Sequence, residues 1–285
     1  MLEIDWDLGP IYEEPCALVL GGFDGLHLGH RTLLNAARKT GLPVLLTSML
    51  GGKEGMLFTK DERSFLFEEA GVDSVLYLPF TEELKSTSAG DFLNELFAYF
   101  EVKEIFCGED FRFGKDATGT PAFLKKWALS RPVTVLTLFE KDGEKISVSR
   151  IKEALAKGNL SAVNAYLGSD YLIQGVVEHG RRVGRTYGFP TLNLSVAPEK
   201  LLPQEGVYGG YAVTPKGRYP TIINIGARPT FGVAEKKVEA YLKGFSGDLY
   251  GKVVRIYPTK FLRHIQKFSS EEELKNQLQK DIACV

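Results

Sequence analysis

Residues Ala17–Gly41 read A-L-V-L-G-G-F-D-G-L-H-L-G-H-R-T-L-L-N-A-A-R-K-T-G, and the fold of the front half of the chain turns on them. Ala17–Leu20 is a short apolar run closed by glycine, the pattern of a strand buried on both faces. Leu33, Leu34, Ala36 and Ala37 recur at helical spacing, and Gly41 is a natural C-cap. Between strand and helix stand Gly21, Gly22, Gly25 and Gly29, with His27 and His30 three residues apart. Glycine lets backbone approach a ligand where a Cβ would push it away. The helix that follows aims its free N–H groups and positive dipole end at the same spot, which favours an anion. The two histidines add donors able to meet charge building on a phosphate.

Outward from this stretch, apolar strand-like runs alternate with helical ones. V-L-L-T (44–47), S-V-L-Y-L (74–78), E-I-F-C-G (104–108) and V-T-V-L-T-L (133–138) read as strands. D-E-R-S-F-L-F-E-E-A-G from Asp61 and A-G-D-F-L-N-E-L-F-A-Y-F (89–100) read as helices. Such alternation predicts a doubly wound parallel sheet with helices on both faces, and ligands beyond the carboxyl ends of its strands. Two further loops fall at strand ends: G-E-D-F-R-F-G-K (108–115) and I-S-V-S-R-I-K (146–152). Ser147, Ser149 and Arg150 at a helix start are phosphate-binding candidates, although a serine there is equally a plain N-cap.

From about Tyr171 helical periodicity gives way to short strands punctuated by glycine and proline, which predicts a small antiparallel β-barrel. One helix closes the chain, with Ser270 and Glu273 as a capping box and Leu274, Leu278 and Ile282 as an apolar packing stripe. The boundary between the two textures falls near 160–170.

The chain has 285 residues, 44% of them hydrophobic and 25% charged, enough for two domains with proper cores. No run approaches the roughly 20 apolar residues of a membrane helix. The acidic start M-L-E-I-D-W-D lacks the features of a signal peptide. Cys16, Cys107 and Cys284 are odd in number and widely spaced, which argues against a disulfide framework or a zinc motif and for a reducing cytoplasm. Residues 1–166 hold 25 acidic and 18 basic side chains, and 167–285 hold 11 and 17. A basic half can mark nucleic-acid binding, but it is also what a smaller phosphate-handling domain needs, and there is no recognition-helix or aromatic RNA-stacking signature. A zinc reading of His27 and His30 lacks a third ligand at catalytic-site spacing.

The glycine–histidine turn resembles the H-x-G-H nucleotidyltransferase signature in the G-x-F-D-G-x-H-x-G-H form of prokaryotic bifunctional riboflavin kinase/FAD synthetases, matched at Phe23, Asp24, Gly25, His27, Gly29 and His30. The loops at 108–115 and 146–152 are similar to later signatures of the same FAD synthetase module. H-G-R-R-V-G-R-T-Y-G-F-P-T-L-N-L (179–194) resembles the G-R-x-L-G-F-P-T-A-N signature of riboflavin kinases. N-I-G-A-R-P-T-F-G (224–232), V-E-A-Y (238–241), G-D-L-Y-G (247–251) and F-L-R-H-I-Q-K-F (261–268) follow in the family's order.

The resemblance implies an FMN adenylyltransferase domain over 1–166 and a riboflavin kinase domain over 167–285. In the first, His27 and His30 are catalytic, Gly22, Phe23, Asp24 and Gly29 meet the nucleotide, and Asp110, Ser147, Ser149 and Arg150 orient it. In the second, Gly180, Arg185 and Gly188, with Gly184, Arg181 and Arg182, form a loop over the nucleotide phosphates. Thr191 and Asn193 hold Mg²⁺ and nucleotide there, Glu239 is the general base, and Arg263 and Phe268 lie on the flavin side with 247–251. Two neutral oxygen ligands on one face of a strand suit Mg²⁺, which completes its shell from phosphates and water. Riboflavin, FMN and ATP are the implied substrates, with no nucleic acid, no membrane, and a monomer or weak homo-oligomer. The chain departs from the pattern at Val148, Lys152, Ser169, Asp170, Leu192 and Ile265. Val148, Lys152, Ser169 and Asp170 bear on the adenylyltransferase module, so the alternative is a riboflavin kinase whose adenylyltransferase module is weakened or inactive. Ile265 stands where the family has Glu, which predicts that Arg263 loses a partner.

Overall fold

A computed structural model describes residues 1–6, 11–51, 55–137, 140–141, 144–179, 189–230 and 233–285. The chain divides into two compact units, Met1–Val148 and Ser149–Val285.

The first unit is built on a six-stranded, wholly parallel sheet in the order β1-β4-β3-β2-β5-β6. The strands are β1 (Leu2–Asp5), β2 (Tyr12–Leu20), β3 (Val44–Leu50), β4 (Ser74–Pro79), β5 (Phe100–Gly108) and β6 (Val133–Leu136). Alternate side chains of β2 feed two separate cores. Leu18 and Leu20 pack with Leu45, Leu93, Leu96 and Ile105, whereas Ala17 and Val19 pack with Leu34, Leu46, Phe67 and Val75. A sheet covered on both faces explains why its strands read as unbroken apolar runs. The helices are α1 (Leu28–Arg38), α2 (Lys60–Glu69), α3 (Glu82–Ser86), α4 (Ala89–Tyr99) and α5 (Pro121–Trp127). Each starts on a side chain that accepts a backbone N–H: His27, Thr59, Thr81, Ser88 and Thr120. A two-stranded hairpin of β7 (Glu140–Lys141) and β8 (Glu144–Lys145) follows β6. The acidic N-terminus, read only as lacking a leader, forms the edge strand β1 against Ser74–Tyr77.

Neighbours β3 and β5 flank β2 on opposite sides, and the chain passes from β2 to β3 but reaches β5 only after β4. Order therefore reverses between β2 and β5, and the crevice at their carboxyl ends, Leu20 and Gly108, is where such sheets bind ligands.

The second unit carries a closed barrel in the order β10-β13-β12-β11-β14-β9. Its strands are β9 (Ile173–Glu178), β10 (Thr191–Ser195), β11 (Gly206–Thr214), β12 (Gly217–Thr230), β13 (Val233–Leu242) and β14 (Val253–Arg263), all paired antiparallel. Val177, Leu194, Ala212, Ile223, Ile225, Val238, Ala240 and Ile256 are buried. Before the barrel come α6 (Val148–Ala156), which begins at the division between units, and α7 (Leu160–Leu167); after it comes α8 (Glu271–Ile282).

The closing helix corrects the sequence expectation. Leu274, Leu278 and Ile282 are only half-buried, and the buried residue of α8 is Asp281, whose carboxylate takes Arg263 Nη2 at 2.7 Å. Ser270 does cap the helix by accepting the Glu273 N–H. The Glu273 carboxylate, however, bonds the Ser269 N–H and hydroxyl, so the reciprocal half of the expected box is displaced by one residue. Asp170, one of the departures, has a structural role: it accepts from Asn164 Nδ2 at 3.0 Å and from the Tyr211 hydroxyl at 2.9 Å, joining the end of α7 to β11.

Candidate active sites

The β2–α1 turn folds as its glycines and aromatics dictate. Phe23 adopts φ +41° and turns its ring under Gly21, where an added Cβ would lie 2.5 Å from it. Gly25, at φ +146°, has Phe58 so close that a Cβ would meet it at 2.4 Å. These contacts seat the turn against the sheet and leave the Gly22 side facing open space. His27 is the N-cap of α1, its Nδ1 accepting the His30 N–H at 3.2 Å. His30 Nδ1 lies 2.7 Å from the Gly25 carbonyl, to which it donates. The imidazole of His30 stacks on His27, 3.5 Å away centroid to centroid, and meets the Phe23 ring at a tilt, 4.2 Å away.

These bonds assign the tautomers. His27, accepting at Nδ1, presents an Nε2–H donor. His30, donating at Nδ1, keeps a lone pair at Nε2 when neutral. Burial pushes the His27 imidazole down to about 4, with Asp110 opposing and Lys145 reinforcing the shift. Burial, with His27 alongside, holds His30 well below the usual histidine range. Both rings are therefore neutral at physiological pH.

His27, Gly29, His30, Gly22, Phe23, Asp110 and Ser147 all line one cavity of about 780 Å³ at the β2/β5 switch point. Sequence reasoning missed the rest of its wall: Met49, Leu78, Phe80, Leu84, Phe92, Phe111 and Phe113 make an apolar extension, and Lys85, Arg112 and Lys145 bring cations. The F-R-F of the 108–115 loop was the available signal, since Phe111 and Phe113 stack at 5.3 Å. Asp110 forms an ion pair with Lys145.

Asp24 is not among the residues that line this cavity. Its carboxylate takes the Leu57 N–H at 3.1 Å and Arg63 Nη2 at 2.5 Å. Arg63 is 1% exposed and also donates to the Phe58 carbonyl at 2.8 Å. Asp24 thus anchors the turn to the segment leading into α2, and its removal would strand a buried cation. Ser149 and Arg150 fall in the second unit, in the first turn of α6, where Arg150 lies 5.2 Å from the Tyr166 ring centroid.

On the barrel, Gly180, Arg185 and Gly188, with Arg181, Arg182 and Gly184, lie outside the described residues. The strands they lead into are described. Antiparallel register sets Asn193 of β10 opposite Glu239 of β13, and Glu239 opposite Asn224 of β12, so the three share one face. Thr191 is two residues along the same strand, opposite Tyr241. The Asn193 Oδ1 is buried with no hydrogen-bond partner among the described residues. A buried acceptor left unmade is costly, so this oxygen fits a ligand that supplies a cation or a donor. Glu239 is half-buried and ion-paired with Lys237 on its own strand.

Thr191 also borders a hollow of about 230 Å³ formed with Phe245, Gly247, Asp248, Leu249 and Tyr250. The G-D-L-Y-G segment therefore lies beside Thr191. Leu192 lines the same hollow although strand alternation turns it towards Ala240. Arg263 has the partner it was expected to lack: Asp281 takes its Nε at 3.1 Å and its Nη2 at 2.7 Å, and the guanidinium lies 5.8 Å from the Phe268 ring. Ile265, where an acid was expected, is 47% exposed.

Two family models divide the chain between them: riboflavin kinase over residues 167–285 and FAD synthetase over 10–150. The bifunctional riboflavin kinase/FMN adenylyltransferase of Escherichia coli (strain K12) is 34% identical, covering 94% of this chain and 91% of its own. This chain belongs to the bifunctional riboflavin kinase/FMN adenylyltransferase family. Another riboflavin kinase/FMN adenylyltransferase, from Bacillus subtilis (strain 168), is 32% identical over 93% of this chain and 89% of its own. A crystal structure described as a macrolide-efflux protein from Streptococcus pneumoniae matches with a TM-score of 0.87 at 29% identity, covering 99% of this chain and 97% of that one. No helix among the described residues is long and apolar enough to cross a membrane.

Proposed function

We infer that this chain makes FAD from riboflavin in two ATP-dependent steps, with residues 167–285 phosphorylating riboflavin to FMN and residues 1–166 adenylylating FMN. The observation that carries this reading is the presence, on one chain, of a histidine turn lining a switch-point cavity and an Asn193–Glu239 pair on a barrel face. In the first step the ribityl hydroxyl oxygen attacks the γ-phosphorus of ATP and ADP leaves. Glu239 orients that hydroxyl and accepts its proton, which requires the carboxylate to exchange Lys237 for substrate. In the second step a phosphate oxygen of FMN attacks the α-phosphorus of ATP in line, the bond to the β-phosphate oxygen breaks, and pyrophosphate leaves. Positioning and charge stabilisation supply the rate, with no covalent intermediate.

The His27 Nε2–H donates to a phosphate oxygen. His30 acts by fixing the His27 ring through stacking and its backbone N–H. The apolar extension beside Phe111 and Phe113 accepts the flavin ring, and Asp110 and Ser147 contact the nucleotide. Thr191 and the orphaned Asn193 oxygen are the residues that would hold Mg²⁺, which neutralises and orients the ATP phosphates. The substrates are small molecules, and the reaction belongs to the cytoplasm, where ATP is held.

The test is a product assay with riboflavin, ATP and Mg²⁺, resolving FMN from FAD by chromatography and measuring pyrophosphate. Both flavins and pyrophosphate are expected; FMN alone would reduce the chain to a riboflavin kinase with a silent front unit. Chelation with EDTA is expected to stop both products.

A further inference from the structure

The two signature histidines bring no formal charge to the adenylyl-transfer cavity. Their burial keeps them neutral, and one nitrogen of each ring is already committed, His27 Nδ1 to the His30 N–H and His30 Nδ1 to the Gly25 carbonyl. A departing pyrophosphate concentrates several negative charges, and charge-assisted bonds from cations are the strong way to hold them. The described part of the cavity wall holds three lysine or arginine side chains, Lys85, Arg112 and Lys145. Lys85 pairs with Glu82 at 2.7 Å and lies over the Phe80 ring. Arg112 donates to the carbonyls of its own loop, Phe111 at 2.8 Å and Glu109 at 3.4 Å. Lys145 is the one whose charge acts on His27, and it comes immediately before Ile146–Ser147, at the end of β8. Its partner Asp110, at the carboxyl end of β5, acts on His27 as well. The ammonium is thus stationed at the histidine end of the cavity, neutralised by a carboxylate that is itself 50% exposed and rehydrates easily on release.

We propose that Lys145 is the phosphate-holding cation of adenylyl transfer: the β- and γ-phosphates of ATP displace Asp110 from its ammonium, and that ammonium then receives the charge of the departing pyrophosphate. The proposal rests on the adenylyl-transfer reading above. The phosphate oxygen of FMN forms the new bond to the α-phosphorus, and the bond from that phosphorus to the bridging oxygen breaks, its electron pair leaving with pyrophosphate. Lys145 stays protonated throughout and contributes field and hydrogen bonds alone.

The experiment compares full-length wild type with Lys145→Met, Lys145→Arg and Asp110→Asn. It measures ATP-dependent FAD formation from FMN, inorganic pyrophosphate binding followed by ³¹P NMR, and riboflavin phosphorylation as a check that the chain is folded. Lys145→Met is expected to lower kcat/KM for ATP in FAD formation by about 10²-fold and to weaken pyrophosphate binding at least tenfold. Lys145→Arg, which keeps the charge, is expected to recover most of both. Asp110→Asn, which removes the carboxylate charge facing the lysine, is expected to tighten pyrophosphate binding. Unchanged pyrophosphate affinity in Lys145→Met would overturn the assignment, and unchanged or weaker affinity in Asp110→Asn would overturn the exchange. If the wild type makes no FAD, the adenylyl-transfer reading fails, while pyrophosphate binding by wild type and Lys145→Met still decides what Lys145 holds.

Discussion

His30 is packed between His27 and Phe23, and its backbone N–H fixes the imidazole beside it. His30→Ala is expected to abolish FAD formation and leave FMN formation intact, a loss of about 2.7–4 kcal/mol of barrier lowering. Wild-type rates of FAD synthesis in that variant would remove the ring from the mechanism. The histidines also make stability depend on pH. Burial holds the folded-state His27 at about 4, below the ordinary histidine value of about 6.5, so between those values the unfolded chain binds the extra proton. Stability contributed by keeping the ring neutral is therefore present above about pH 6.5 and is lost as pH falls towards 4, by roughly 3 kcal/mol in all. His30, shifted the same way, adds to the slope. Thermal unfolding from pH 7 to 4 should show this decline, and His27→Gln should flatten it. At this scale the sequence singles out the two histidines but not their protonation or tautomers, which depend on burial and on a carbonyl from Gly25. Nor does it show that Asp24 pairs with a buried guanidinium 39 positions downstream.

At the scale of single elements, β10 and α8 carry the clearest consequences. β10 places Asn193 across from Glu239, so one strand sets both the candidate metal ligand and its distance from the base. Asn193→Ala is expected to stop FMN production and to weaken Mg-nucleotide binding by calorimetry; unchanged kinase turnover would break the metal assignment. For α8, the buried contact is Asp281 with Arg263. Asp281→Ala leaves that guanidinium half of a broken pair, at a cost of about 3–5 kcal/mol if the helix stays docked. Faster amide hydrogen exchange across Glu271–Ile282 is the expected readout, together with a raised KM for riboflavin. The sequence made the strands of the first unit legible because both their faces are apolar. It left β1, α3, α5 and α7 unread, since such short segments show at most about two turns of a helix or one face of a strand. The capping box of α2, Thr59 with Glu62, was equally visible as T-K-D-E and went unnoticed.

Across the whole molecule, the two candidate pockets lie in units with separate cores, and FMN is both product of one and substrate of the other. Mixing His30→Ala chains with Asn193→Ala chains is expected to restore conversion of riboflavin to FAD in trans, because FMN released by the first reaches the intact adenylylating pocket of the second. Failure of the mixture, with each variant keeping its other activity, would mean that FMN does not pass between chains. What the sequence by itself determined was the fold class of each half and the order of its phosphate-handling motifs. Periodicity and glycine placement are local properties, and they are written in neighbouring residues. Tertiary structure alone decided which residues are brought together: the side chains of Asp110 with Lys145, Asp24 with Arg63 and Asp281 with Arg263, and the cross-strand register of Asn193 with Glu239. Those pairings depend on strand order, barrel register and desolvation, which arise only when segments far apart in the chain are brought against one another.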